Sequence, residues 1–170
     1  MSSEIVNDGW IRHFGLDHLP RVTPGRAGRT LARIAGSHEL TFYAHYQTDH
    51  AGHRGGMRGG VEALERVDGL VEGVLAEAPP GLLVLGVSDH GNVEDVTQGH
   101  TRNPALGFLA WAGGEAAPPG LPEDLTPGLL EDLTPGLSED LTPGLPEDLT
   151  EVAPWILGRL GVGEAGVGRR

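Results

Sequence analysis

Three short segments of the chain carry side chains that bind hard or borderline metal ions. Asp49 and His53 stand four apart in "TDHAGH", Asp89 and His90 adjoin in "SDHG", and His100 follows in "GHTRNP". Carboxylate oxygen and neutral imidazole nitrogen are the right donors for zinc, manganese or iron, and the glycines beside them let the backbone turn tightly around an ion. The chain has no cysteine, which excludes a thiolate nucleophile, a disulfide framework and any cysteine-ligated zinc. Taken one at a time, the segments also fit a simpler role. Asp and Asn close polar turns by bonding their own backbone, and a histidine there often only caps a loop. What decides between the two is whether the fold brings the segments together.

The elements that must do so are legible as patterns. In "VTPGRAGRTLARIAG", Thr23 stands in a capping position and Pro24 at a first helical position, with Ala27, Leu31 and Ile34 at helical spacing, so a helix runs to about Gly36. "ELTFYAHY", Glu39 to Tyr46, is aromatic and β-branched and predicts a strand. Val61, Leu64, Val67, Leu70, Val71, Val74 and Leu75 form one helical stripe. Leu82 to Val87 is a nearly continuous apolar run and predicts a strand buried on both faces. "ALGFLAWAG" reads as another strand, and "EVAPWILGRLGV" as a helix capped by Thr150 and stopped near Gly161. Strands alternating with helices predict an α/β fold with a mainly parallel sheet. In such sheets sites gather where strands end, and both "QTDHAGH" and "SDHGN" directly follow a predicted strand.

Taken together, "TDHAGHRGGMRGGVEALERVDGLV", "LLVLGVSDHGNVED", "GHTRNPALGF" and "LTEVAPWILGRLGV" resemble, in order and spacing, the C-terminal half of the alkaline phosphatase superfamily. The likeness is closest to the branch of cofactor-independent phosphoglycerate mutase and phosphopentomutase, and to related metalloenzymes. It runs from about Thr41 onward, and it implies a three-layer sheet with helices on both faces and two divalent ions, Mn or Zn. Asp49, His53 and His100 would bind one ion in a set this chain closes itself. Asp89 and His90 would bind the other, completed in the family by an N-terminal aspartate and a Ser or Thr nucleophile. Asn92 would support a ligand or a turn, and Arg54 and Arg102 would contact phosphate, unless they are ordinary surface arginines. The resemblance thus implies a phosphoester hydrolase or phosphotransferase acting on a small substrate.

The family's first strand and nucleophile belong before the equivalent of Thr41. The forty residues there contain Ser2, Ser3, Thr23, Thr30 and Ser37, none after an apolar strand with a companion aspartate. No nucleophile is assigned, and the expectation is a chain truncated on its N-terminal side. Such a chain would expose a strand edge and call for self-association or the missing half as partner. It would then be the metal-binding portion of an enzyme, inactive alone. The alternatives are a non-catalytic binding or structural module, and a truncated gene product.

Composition supplies the outer bounds. A formal charge of −12 argues against nucleic acid or a basic membrane-binding face. Residues 119–150 hold eight of the 24 acids and no base, in four octapeptides, "PGLPEDLT", "PGLLEDLT", "PGLSEDLT" and "PGLPEDLT". A unit so short has too little to bury for a solenoid, so the array reads as a flexible, solvated insertion. This divides the chain into an α/β metal-binding core at 1–118, the insertion at 119–150, and a C-terminal helix and tail at 151–170. The longest aliphatic run is too short to span a bilayer, and the first residues lack a secretory pattern, which predicts a cytoplasmic protein.

Overall fold

A computed structural model describes residues 4–103, 105–113, 128–132 and 148–161. In chain order the elements are α1 (Asp8–Phe14), α2 (Pro24–Ala35), α3 (Gln47–Arg54), α4 (Gly56–Glu77), β1 (Leu83–Val87), a 3-10 turn (Val93–Asp95), β2 (Gly107–Trp111), β3 (Gly128–Asp132) and α5 (Leu149–Arg159). Helices and a small sheet are thus combined, as in an α/β protein. Among the described residues no helix is long and apolar enough to cross a membrane.

Helix α2 begins as its sequence predicts. The Thr23 hydroxyl accepts a hydrogen bond from the Arg26 amide at 3.3 Å, and Pro24 occupies the first turn, where its missing N–H costs nothing. The helix packs closely on α4 because glycines line both sides of the contact. A Cβ on Gly28 would overlap the Leu70 carbonyl and the Val74 amide, and a Cβ on Gly73 would overlap the Gly25 backbone. Next to this seam, Ile5, Val6 and Leu70 form a buried cluster with Ala27 and Val67 against it.

The seam leads to a direct prediction. Replacing glycine by alanine in a helix ordinarily stabilises it by about 1 kcal/mol. At Gly28 the methyl meets backbone that cannot rotate away, and overpacking of this kind costs about 1–3 kcal/mol. Gly28→Ala is therefore expected to lower the thermal midpoint. Gly9→Ala in α1, where a Cβ meets nothing within 4 Å, should leave it unchanged or raise it. Melting curves followed by circular dichroism check the pair, and a Gly28→Ala midpoint above that of the parent would contradict the packing.

Five expectations are corrected. Helix α4 forms as predicted, but its buried side is Gly60, Ala63, Leu70, Gly73 and Val74, while Val61 and Leu64 are 47% and 42% exposed. At this end the helix lies against α3 and the Val93–Val96 loop, and only small residues fit; Gly60 already sits against the Val93 and Val96 side chains.

The sheet is antiparallel rather than parallel, in the order β1-β2-β3, with Leu85 opposite Leu109. The chain between β1 and β2 contains only a 3-10 turn, and without a crossover helix the second strand returns beside the first in the opposite direction. Because β1 is an edge strand among the described residues, it is half-buried instead of covered on both faces, whereas Leu109, Ala110 and Trp111 of the central strand are buried.

Residues Glu39–Tyr46 join no ladder, and Phe42 is 87% exposed. A β-prone sequence fits a pleated surface but does not supply a neighbouring strand. Finally, α5 is capped by Asp148, whose carboxylate accepts from the Thr150 amide at 2.7 Å, and not by Thr150. Within the octapeptide array, Gly128–Asp132 forms β3 against β2. The rest of the array up to residue 147 and the tail from residue 162 lie outside the described residues.

Candidate metal centre

Helix α3 places Asp49 in its first turn and His53 in its last, four apart and so on one helical face. Their expected position, in a loop following a strand, is thereby corrected. The histidines at 90 and 100 come from the long connection between β1 and β2. That connection is closed at its base by the Ser88 amide bonding the Leu106 carbonyl at 2.8 Å. It is pinched again where the Thr101 amide bonds the Gly91 carbonyl at 2.8 Å. Each histidine is next to one residue of that bridge, so their rings lie side by side, stacked with centroids 3.7 Å apart.

The three segments meet at one oxygen. Asp49 Oδ1 lies 3.1 Å from His100 Nε2, 3.3 Å from His53 Nε2 and 3.9 Å from His90 Nε2. His53 Nε2 and His100 Nε2 are themselves 3.0 Å apart. The potential ligand atoms of Asp49, His90 and His100 all fall within 4.8 Å of one another. Imidazole nitrogens that face each other and a carboxylate need a proton or a cation among them to offset their lone pairs. His90 is held in the matching orientation. Its Nδ1 is 3.3 Å from the Gly91 carbonyl, a bond it makes only as an N–H donor, which in the neutral ring leaves Nε2 with a free lone pair. The donor set and its orientation therefore fit a divalent ion.

The other expected site residues are placed less centrally. Asp89 is 81% exposed, with its Oδ1 3.6 Å from His90 Nε2. Arg54 and Arg102 are both exposed, and neither is ion-paired among the described residues. All the donors are partly open to solvent.

Two further residues hold the centre together. Asn92 is only 5% exposed and donates from Nδ2 to Asp49 Oδ1 at 2.9 Å. Its Oδ1 presses on α3 at Gly52, where any Cβ would overlap it. Glu94 accepts from the Asn92 amide at 2.6 Å, from Asn103 Nδ2 at 3.0 Å and from the Thr101 hydroxyl. These bonds, the Thr101 hydroxyl first among them, hold its carboxyl below the usual glutamate range against the opposing effect of burial. Glu94 and Asp95 are adjacent acids in a polar loop, and nothing in the sequence separates them. The structure does, since among the described residues the Asp95 carboxylate bonds only its near neighbours Thr97 and Gln98.

Residues 27–114 match the Metalloenzyme superfamily. The chain belongs to this family. The matched region covers just over half of the 170 residues and contains the whole cluster around Asp49. No characterised protein and no solved structure matches the chain. Membership of the Metalloenzyme superfamily and the grouping of Asp49, His90 and His100 point independently to divalent metal binding.

Proposed function

We propose that the chain is the metal-binding portion of an alkaline-phosphatase-like phosphoester hydrolase or phosphotransferase, related to the phosphoglycerate mutase and phosphopentomutase branch. The observation that carries this reading is the convergence of Asp49, His53, His90 and His100 on one carboxylate oxygen within a Metalloenzyme superfamily domain. Asp49, His53 and His100 would hold one ion and Asp89 and His90 a second, with Mn or Zn both suited to these donors. Bound ions would supply positive charge to phosphoryl oxygens and to the developing alkoxide.

The chain's own residues bind and orient. Asn92 fixes the Asp49 carboxylate, and the Gly91 carbonyl fixes the tautomer of His90. Arg54 and Arg102, exposed and free of ion pairs among the described residues, would take phosphate oxygens in bidentate fashion. No serine or threonine is assigned as the nucleophile, and the chain by itself is expected to be inactive. We further read residues 1–118 as the core of a three-layer fold, 119–150 as an insertion and 151–170 as a helix and tail.

The test is metal analysis of the purified protein, with thermal melts in Mn2+ or Zn2+ and in chelator. An ion present at about 100 times its dissociation constant stabilises the folded state by about 2.7 kcal/mol. The melt should therefore fall clearly on chelation and recover on readdition. Absence of both bound metal and any chelator effect would sink the reading. Rapid hydrolysis of an aryl phosphate by the chain alone would show that it holds its own nucleophile.

A further inference from the structure

We infer that Glu94 is a positioning residue: it ligates nothing, but clasps the His90-bearing and His100-bearing halves of the β1–β2 connection into one metal-binding geometry. The inference rests on the metal-binding reading above and goes beyond it by assigning a residue outside the ligand set.

The geometry is that of a clasp across two strands of loop. One oxygen, Oε2, accepts from the Asn92 amide, two residues after His90. The other, Oε1, accepts from the Thr101 hydroxyl, next to His100, and from Asn103 Nδ2. The Thr101 hydroxyl oxygen in turn accepts from the Asn103 amide at 3.2 Å. Among the described residues two backbone bonds join these halves, Ser88 to Leu106 at the base and Thr101 to Gly91 beside the histidines, each at 2.8 Å. Only the Thr101–Gly91 bond lies next to the rings, and the Glu94 attachment on its far side, toward the loop tip, stops the two rings from turning about it.

Glu94 also acts on the carboxylate at the centre. By holding the Asn92 backbone it sets where the Asn92 amide sits, and that amide donates to Asp49 Oδ1. A single exposed carboxylate thereby reaches Asp49 through Asn92 and His100 through Thr101. An ionised carboxylate suits this place because all three of its partners can donate, and charge strengthens each bond. Residues that orient ligands in this way commonly govern metal affinity by about 10- to 100-fold.

Cobalt(II) serves as the probe, since its visible absorption reports coordination geometry as well as occupancy. Parent protein, Glu94→Ala and Glu94→Gln are titrated with Co2+, and spectra are recorded at saturation. Glu94→Ala is expected to bind Co2+ about 10- to 100-fold more weakly and to give a shifted spectrum even when saturated. Glu94→Gln should recover most of the affinity. Its carbonyl can accept from the Asn92 amide while its NH2 donates to the Thr101 oxygen and to an Asn103 amide flipped to accept. Should Glu94→Ala fail to fold, Thr101→Val removes one arm of the clasp and is expected to shift the saturated spectrum in the same sense with a smaller loss. A Glu94→Ala protein with parental affinity and spectrum overturns the inference. Weaker binding with an unchanged saturated spectrum also overturns it, because that is what loss of stability alone produces. If the parent protein takes up no Co2+, the metal-binding reading fails first, and the inference with it.

Discussion

Asp49→Ala is expected to abolish specific metal binding while leaving the fold in place. Asp49 Oδ1 is the point at which His53, His90, His100 and Asn92 meet, at 3.3, 3.9, 3.1 and 2.9 Å. Without it three imidazoles face one another with no anion between them, and a divalent ion would lose the carboxylate oxygen on which these histidines converge. The loss in affinity for Mn2+ or Zn2+ should exceed roughly 100-fold, beyond what removal of a merely supporting partner produces. The fold should tolerate the change, because the Asp49 side chain is 37% exposed and its neighbours can turn to water. Calorimetric titration and melts with and without chelator give the two readouts. The variant's midpoint in chelator should match the parent's, and metal should no longer raise it. If metal still stabilises Asp49→Ala as it does the parent, Asp49 is not the centre of the site.

The same residue shows how far the sequence could be read. Asp49 and His53 are recognisable as donors from their spacing, and His100 from its motif, but the helix that carries Asp49 and His53 is not. "QTDHAGHR" contains two glycine-flanked or polar turns' worth of loop-forming residues and no apolar stripe, so only its contacts with α4 and the Val93 turn make it helical. Helix α2 was readable to its first residue because its signals are local: a capping threonine, a proline and a regular apolar spacing. The direction of the sheet was not, because pairing depends on which segments meet, and the apolar run Leu82–Val87 looks alike at an edge and in the middle. Glu94 is the sharpest case. Its three donors lie up to nine positions away in sequence, and no period or motif links a loop acid to a threonine, an asparagine and a backbone amide. Residues that hold ligands in place are defined by distance in space, whereas the ligands themselves are defined by chemistry that the sequence displays.

The glycine between Asp49 and His53 provides the second large effect, and here stability and binding should move apart. In the middle of α3, Gly52→Ala ought to favour the helix by about 1 kcal/mol. Yet the added methyl would occupy the space of Asn92 Oδ1, and Asn92 is buried, with its other amide atom tied to Asp49. Turning the amide to clear the methyl breaks the bond to Asp49. Gly52→Ala is therefore expected to weaken Mn2+ or Zn2+ binding by about 10-fold or more, the range for loss of a ligand's supporting hydrogen bond. Its melting point in chelator should stay close to the parent's. Asn92→Ala removes the same bond from the other side and should weaken binding to a similar degree. The double variant then decides the mechanism, since changes acting through one contact do not add. In the Asn92→Ala background the side chain that obstructs the methyl is gone, so Gly52→Ala should cause little further loss. Full additivity of the two losses would mean that Gly52 acts on the centre by bending α3 itself and not through Asn92.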